Sequence, residues 1–422
     1  MLLQNTDYDY AAQVNILDLF ARTVSDNLGV VNNLGECWKS YMTDGNNIEL
    51  SWDWHTGIEK PAVRFSIDPI GMGAGMTSDP RNGMATAKSK ESILQALPNI
   101  DMSWFNHFET FFRGETESTF IGLESRKKCD LAECHASKVF WTFDLGEKDI
   151  TSKAYFFPGY RARAMNRSNL QVISEAIISA PSCTPERLDA LTMFSKFVHE
   201  HERMGRSPLR LDMLAVDMVE SSSARLKIYF YSRRTDFRSV CENMTLRGRI
   251  AGPDMDRGLS RLRCLWESLF DQEGVSPDTP LSSTSHQTAG ILYDVEFRLG
   301  DKAPKTKIYM PVQHYARTDA QVITSVSKFM NAQGIKHGGA AKRKIGCPGR
   351  EQAPSARLGP SLPTPSYADA FNAIFTDEAI RSSRGRHTRV ACSIEAGGAL
   401  RVVSYANPQE GKFIRHTPQQ SS

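Results

Sequence analysis

Three short segments of this chain place a lysine two residues ahead of a tyrosine, and each reads as a β-strand. In SARLKIYFY, Arg225, Lys227 and Tyr229 share one face while Leu226, Ile228 and Phe230 share the other, because side chains alternate in direction along extended backbone. SKAYFFP sets Lys153 and Tyr155 against Ala154 and Phe156, and KTKIYMP sets Lys305, Lys307 and Tyr309 against Ile308 and Met310. A fourth segment, AVRFSIDP, opposes Arg64, Ser66 and Asp68 to Val63, Phe65 and Ile67. The pattern repeats although the sequence does not. Cations converging on one space repel each other unless a multiply charged anion joins them, and a diphosphate is the natural candidate. Tyrosine rings beside such an anion suit a developing carbocation, which gains roughly 0.5–2 kcal/mol per aromatic face and is kept from water.

The elements that must position these residues recur. Tyr8–Ser25 has helical spacing at Ala11, Val14, Leu17, Phe20, Ala21 and Val24. NNIELSWDW then puts Asn47, Glu49, Ser51 and Asp53 on one strand face, and it pairs with the AVRFSIDP strand as a hairpin. An aromatic stripe at Trp104, Phe105, Phe108, Phe111 and Phe112 marks a core-facing helix before the hairpin of KVFWTFDL and SKAYFFP, which turns at Gly146–Asp149. A third helix is expected from Thr184 as N-cap with Pro185 at its first position, followed by LDMLAVDMV and ARLKIYFY. A fourth carries Leu259, Leu262, Leu265, Trp266 and Leu269 ahead of ILYDVEFRL and TKIYMPV. A fifth opens on a capping box, Thr318 and Gln321. Residues 338–365 read as a loop or disordered insertion, helical spacing resumes at Tyr367–Ile380, and HTRVACSIE with ALRVVSYANP closes the series.

Five helix-plus-hairpin units therefore supply ten strands in one α+β domain spanning residues 1–422. An open sheet of ten strands would leave either grease or charge badly placed. Closure into a ten-stranded antiparallel β-barrel turns the greasy faces outward under surrounding helices and leaves a solvent-filled lumen lined by charged and aromatic groups. Tyr405, in SYANP, joins Tyr155, Tyr229 and Tyr309 on that lumen face. For any single strand the competing account is a solvated face on an open sheet.

Composition agrees with a soluble, cytoplasmic chain. Its 422 residues, 40% of them hydrophobic, can bury a large core. A net charge of +3, from 51 basic and 48 acidic residues, argues against a nucleic-acid or membrane footprint. The start lacks the pattern of a signal peptide, and no window of about 18 apolar residues occurs. Eight scattered cysteines fit reduced thiols better than a disulfide frame.

In the order IELS, VRFSIDP, KAYFFP, RLKIY, KIYMP and SYANP, these segments resemble the fungal dimethylallyltryptophan-synthase-type aromatic prenyltransferases, from about Tyr8 to Pro408. The resemblance implies the prenyltransferase barrel of five repeats known as the ABBA fold. It assigns the diphosphate to Arg64, Lys153, Arg225, Lys227 and Lys307, the tyrosine shield to Tyr155, Tyr229, Tyr309 and Tyr405, and the acceptor's proton to Glu49. Dimethylallyl diphosphate and an aromatic small molecule, indole-containing or related, are the implied substrates. No metal or other cofactor is implied, and no DDxxD or NDxxD stands in the chain. A monomer or homodimer is expected. The chain departs from the family in a shorter start, in Arg401 four residues before Tyr405 where a further tyrosine is common, in Phe157 two residues after Tyr155, and in the 338–365 insertion.

Other signals carry less. GMGAGM at residues 71–76 follows a strand but is G-x-G-x-G, with SDP interrupting any helix at the phosphate-binding turn, so it reads as a loop. Cys129, Cys134 and His135 lack a fourth zinc ligand. Lys342, Arg343 and Lys344 read as a solvated loop. Two rival functions stand: prenylation of a phenolic or polyketide-derived acceptor, and a decayed family member that binds ligand without turnover.

Overall fold

The computed structural model describes residues 3–29 apart from 7, then 38, 40–42, 45–55, 61–79, 82–113, 139–335 apart from 148, 366–375 and 383–408. The Cys129, Cys134 and His135 group, the Lys342–Lys344 run and the 338–365 insertion lie outside them.

All ten expected strands form: β1 (Ile48–Asp53), β2 (Ala62–Ile67), β3 (Val139–Leu145), β4 (Ile150–Phe156), β5 (Arg210–Asp217), β6 (Leu226–Ser232), β7 (Ile291–Phe297), β8 (Lys305–Met310), β9 (His387–Ile394) and β10 (Leu400–Ala406). Each pairs antiparallel with its chain neighbours, and β10 returns to β1 to close the barrel. Closure removes every exposed strand edge. At the β3–β4 turn the Gly146 N–H donates to the Asp149 carbonyl at 3.0 Å, and a Cβ on Gly146 would lie 2.3 Å from that oxygen, so a glycine is required there.

Helices precede the hairpins: α1 (Tyr10–Val24), α2 (Gly83–Ala96), α3 (Ser103–Arg113), α4 (Gly159–Ala164), α5 (Asn169–Ile178), α6 (Asp189–Arg203), α7 (Phe237–Met244), α8 (Pro253–Phe270), α9 (Val312–Tyr315), α10 (Asp319–Ala332) and α11 (Tyr367–Ile374). Their apolar stripes cover the outward strand faces. Phe105 of α3 stacks on Trp141 of β3 with centroids 4.7 Å apart, and Phe194 of α6 packs on Phe230 of β6 at 5.4 Å. Gly258 lets α8 approach β9, where a Cβ would meet Ile394 at 2.4 Å. The core thus lies between barrel and helices, and a second apolar cluster of Ala215, Tyr229, Tyr231, Leu292, Tyr309, Ala391 and Val403 lies inside the barrel.

Local expectations fail at two helix starts. Thr184 and Pro185 open a 3-10 turn, Pro185–Arg187, and α6 begins only at Asp189. At α10, Thr318 Oγ1 accepts from the Gln321 N–H at 3.2 Å, but the Gln321 side chain accepts from Arg317 N at 2.9 Å, one residue early. A full capping box stands instead at Ser168 and Gln171 of α5. The glycine loop at 71–76 is indeed a series of turns. At the α2 start behind it, the Asp79 carboxylate accepts from Gly83 N at 2.7 Å and Met84 N at 3.1 Å, which occupies amides a phosphate would need.

Candidate active site

Three layers of side chains line the lumen. The outermost is a belt in which charges of opposite sign alternate from strand to strand. Arg401 of β10 meets Asp53 of β1; Arg64 of β2 sits 2.6 Å from Asp53 and 2.5 Å from Asp144 of β3; Lys153 of β4 pairs with Asp144. Arg225 grips Asp217 of β5 through Nε at 2.6 Å and Nη2 at 3.2 Å, and reaches Glu296 of β7 at 3.5 Å. Lys227 of β6 meets Glu296 at 2.5 Å. Lys307 of β8 stands opposite Asp294 of β7, with its ammonium 5.0 Å from the Tyr309 ring centre.

The belt gathers all five expected cations, and it corrects the expectation that they stand against one another uncompensated. Arg64, Lys153, Arg225 and Lys227 each share an ion pair with a carboxylate, because the lumen faces of β1, β3, β5 and β7 carry acids at the level where β2, β4, β6 and β8 carry bases. Arg225 precedes β6 by one residue rather than lying within it, yet its guanidinium still reaches the belt. Burial alone would raise Asp53, Asp144 and Glu296. Arg64 and Arg401 instead hold Asp53 well below the usual carboxylate range, Lys153 and Arg64 do the same for Asp144, and Lys227 and Arg225 for Glu296. Asp294 is raised by burial, against the pull of Lys227 and Lys307. Paired in this way the cations are held in place before any anion arrives, and six of them face five carboxylates.

Lys307 differs from the rest. Burial, helped by the charge of Lys227 and opposed by Asp294, pushes its ammonium down to about 8. It is protonated below that pH and neutral above it, and an anionic ligand binds the protonated form better. As pH rises through about 8, the kcat/KM for the diphosphate donor is therefore expected to fall. Lys307→Arg, which stays charged throughout, should remove that limb, so a limb that survives the substitution assigns it to another group.

The middle layer is the tyrosine set. Ring centres are 5.7 Å apart from Tyr155 to Tyr229, 5.8 Å from Tyr229 to Tyr309 and 5.7 Å from Tyr309 to Tyr405, so the four rings form an arc inside the barrel. The small residues Ala215 and Ala391 on intervening strands leave room for them. Tyr309 donates to Asp294 Oδ2 at 2.7 Å. Burial raises the pKa of each of the four, so the rings stay neutral and present π-faces.

The innermost layer holds Glu49, 7% exposed and four residues from Asp53 on β1, about 13 Å along the strand. Its carboxylate accepts from Thr388 Oγ1 at 3.0 Å and meets Arg389 Nη1 at 3.2 Å. Sequence reasoning missed both partners. Between β9 and β10 the pairing steps from Arg389 opposite Tyr405 to His387 opposite Ala406, so Thr388 is the extra residue of a β-bulge. Tyr231, also missed, continues the Arg225, Lys227, Tyr229 face. The belt acids were within reach of the same alternation, since Asp144 in VFWTFDL and Asp294 and Glu296 in ILYDVEF fall on inward positions.

Phe157 packs on Phe140 with centroids 4.7 Å apart, in a cluster with Tyr41 and Met42 at the Glu49 end. Outside the barrel, Asp319, His387, Tyr367 and Ser404 form a chain: Asp319 Oδ1 lies 3.0 Å from His387 Nδ1, His387 Nε2 lies 2.7 Å from Tyr367 Oη, and Ser404 donates to Tyr367 at 2.9 Å. All four are buried, so the chain fastens α10 and α11 to β9 and β10 and offers no nucleophile to a substrate. Among the described residues no group of three or more His, Cys, Asp or Glu side chains is placed to hold a metal ion, and no helix is long and apolar enough to cross a membrane.

A closed antiparallel ten-strand barrel under helices is the fold of the aromatic prenyltransferases. The sequence profile of tryptophan dimethylallyltransferase matches residues 1–344, and the chain belongs to that family. It is 30% identical to the 4-O-dimethylallyl-L-tyrosine synthase of Claviceps purpurea, over 90% of this chain and 78% of that one. It is 26% identical to the 7-dimethylallyltryptophan synthase of Aspergillus fumigatus, over 88% and 72%. The crystal structure of NotF in complex with brevianamide F and DMSPP shares the fold, with a TM-score of 0.76 at 22% identity over 97% of this chain and 91% of that one. The protein is an enzyme that moves a prenyl group from its diphosphate to an aromatic acceptor.

Proposed function

We propose that the donor is dimethylallyl diphosphate, that it lies with its diphosphate on the charged belt and its allyl group beneath the tyrosines, and that Glu49 receives the proton from the acceptor. The observation that carries this reading is the order of the layers along one lumen. Arg64, Lys153, Arg225, Lys227 and Lys307 take the negative charge that grows on the leaving diphosphate as the C–O bond breaks. Tyr155, Tyr229, Tyr309 and Tyr405 face the allyl cation and exclude water. The aromatic acceptor, seated toward Glu49, attacks that cation, and the carboxylate removes the proton that restores aromaticity.

The belt supplies in side chains the positive charge that a divalent metal would bring to a diphosphate, so turnover is expected to survive EDTA. An indole-containing or related aromatic acceptor fits the family. A phenolic hydroxyl is the second reading, favoured by the likeness to a relative whose name places the prenyl group on the 4-oxygen of L-tyrosine. One domain, residues 1–422, would act as a monomer or homodimer in the cytoplasm.

The test is purified protein with dimethylallyl diphosphate and a panel of indoles and phenols, with and without EDTA, read as diphosphate release and prenylated product. Equal product with EDTA supports the metal-free belt, and loss of product that Mg²⁺ restores overturns it. Tight donor binding without product from any acceptor overturns the transferase reading in favour of a decayed enzyme.

A further inference from the structure

Asp294 bonds to the tyrosine layer, whereas the other belt carboxylates hold cations. Asp53, Asp144, Asp217 and Glu296 each meet a belt cation at 2.5–2.6 Å. Asp294 Oδ2 accepts the phenol proton of Tyr309 at 2.7 Å. The register explains this reach: on β7, Asp294 stands opposite Tyr229 of β6 on one side and Lys307 of β8 on the other. It therefore lies where the cation layer passes into the tyrosine layer, 1% exposed, and Lys227 and Lys307 both favour its charged form.

A hydroxyl carries one proton. With the Tyr309 proton committed to Asp294, the Tyr309 oxygen can only accept from Tyr229, whose hydroxyl oxygen is 3.5 Å away. Tyr229 is in turn a hydrogen-bond partner of Tyr155, and Tyr155 of Thr142. An ionised carboxylate has no proton to return, so it orients the O–H dipoles of this series toward itself. A phenol that donates to an anion makes a stronger bond than one that donates to a neutral oxygen, and it gains phenolate character. Electron density then rises on its ring, and a ring face more negative than an ordinary phenol's attracts a cation more strongly. The same bond fixes the Tyr309 ring between those of Tyr229, at 5.8 Å, and Tyr405, at 5.7 Å.

We propose that Asp294 is a positioning residue for ionisation of the donor: it sets the direction of the shield's hydroxyls and enriches the Tyr309 ring in electrons where the allyl cation forms. This rests on the functional reading above, in which the allyl group lies beneath the tyrosines. Asp294 acts through Tyr309. A charge-assisted hydrogen bond is about twice as strong as a neutral one, and losing that difference is expected to slow C–O cleavage by about tenfold.

Asp294→Asn keeps the shape and an oxygen for Tyr309 but removes the charge. The single-turnover rate of diphosphate release and product formation should fall about tenfold. Calorimetric affinity for dimethylallyl thiolodiphosphate should be equal to wild type or tighter, because the belt loses a negative charge. A merely structural role would weaken both. Tyr309→Phe keeps the ring, breaks the same bond and should slow turnover by a similar factor. The double variant should then lie within about twofold of the slower single variant, because the two changes remove one interaction. Thermal melting identifies a folding defect, and if Asp294→Asn does not fold, Tyr309→Phe carries the test. A rate within about twofold of wild type in the folded variant, losses that multiply in the double variant, or donor affinity that falls with the rate overturns the proposal. A wild-type chain that binds the analogue but yields no product with any acceptor overturns the functional reading and this inference with it, whereas normal wild-type turnover with a silent Asp294→Asn overturns this inference alone.

Discussion

Glu49→Gln is expected to lower kcat for prenylated product by about 10²- to 10⁴-fold, the range over which a positioned general base acts. Glutamine is close to isosteric and keeps an oxygen for the Thr388 hydroxyl at 3.0 Å and the Arg389 guanidinium at 3.2 Å, so the local framework survives. What it loses is proton affinity. The belt lies about 13 Å away along β1, and donor affinity should therefore stay within about twofold of wild type. Stopped-flow binding of a non-ionising donor analogue, set beside product formation, separates the two. Wild-type turnover in this variant would assign the proton to another group, and a parallel collapse of donor affinity would make Glu49 a structural partner of Arg389.

Lys227→Ala has the second largest expected effect, a rise in donor KM on the order of 10- to 100-fold with a smaller change in kcat. The substitution removes a donor to the diphosphate and also leaves Glu296, which Lys227 meets at 2.5 Å, with Arg225 at 3.5 Å as its remaining ion-pair partner. With six cations against five carboxylates, the loss cancels the belt's single excess charge, and the freed carboxylate repels the ligand it helped to position. Adding Glu296→Gln should restore part of the affinity, because it removes that repulsion without returning the lysine. Were the single variant to bind donor normally, the diphosphate site would have to lie elsewhere in the lumen. Were the double variant to bind no better than the single, lost contact rather than net charge would explain the defect.

These two expectations draw on different levels of the molecule. Glu49, the five cations and the four tyrosines are legible from residue type and spacing, and the structure brings all ten into one lumen. Their partners were less so. Asp144, Asp217, Asp294 and Glu296 sit on inward positions of their strands, but nothing in a strand's own sequence says that its acid will meet a base from the next hairpin at the same height. Arg401 departs from the family where a further tyrosine is common, and its own sequence context does not say that it faces Asp53 beside Arg64 and completes the belt.

The sequence by itself determined which face of each strand looks inward, because alternation along extended backbone is local, and it determined closure, because ten half-charged, half-apolar strands have no other way to bury grease and keep their charges together. Only the tertiary structure decided register. The interleaving of the belt, the bulges that aim Asp212 and Thr388, and the contact of Arg389 with Glu49 across 340 positions of the chain all depend on how distant strands slide against each other when β10 returns to β1. That sliding is set by the packing of every hairpin on its helices, and no single segment carries it.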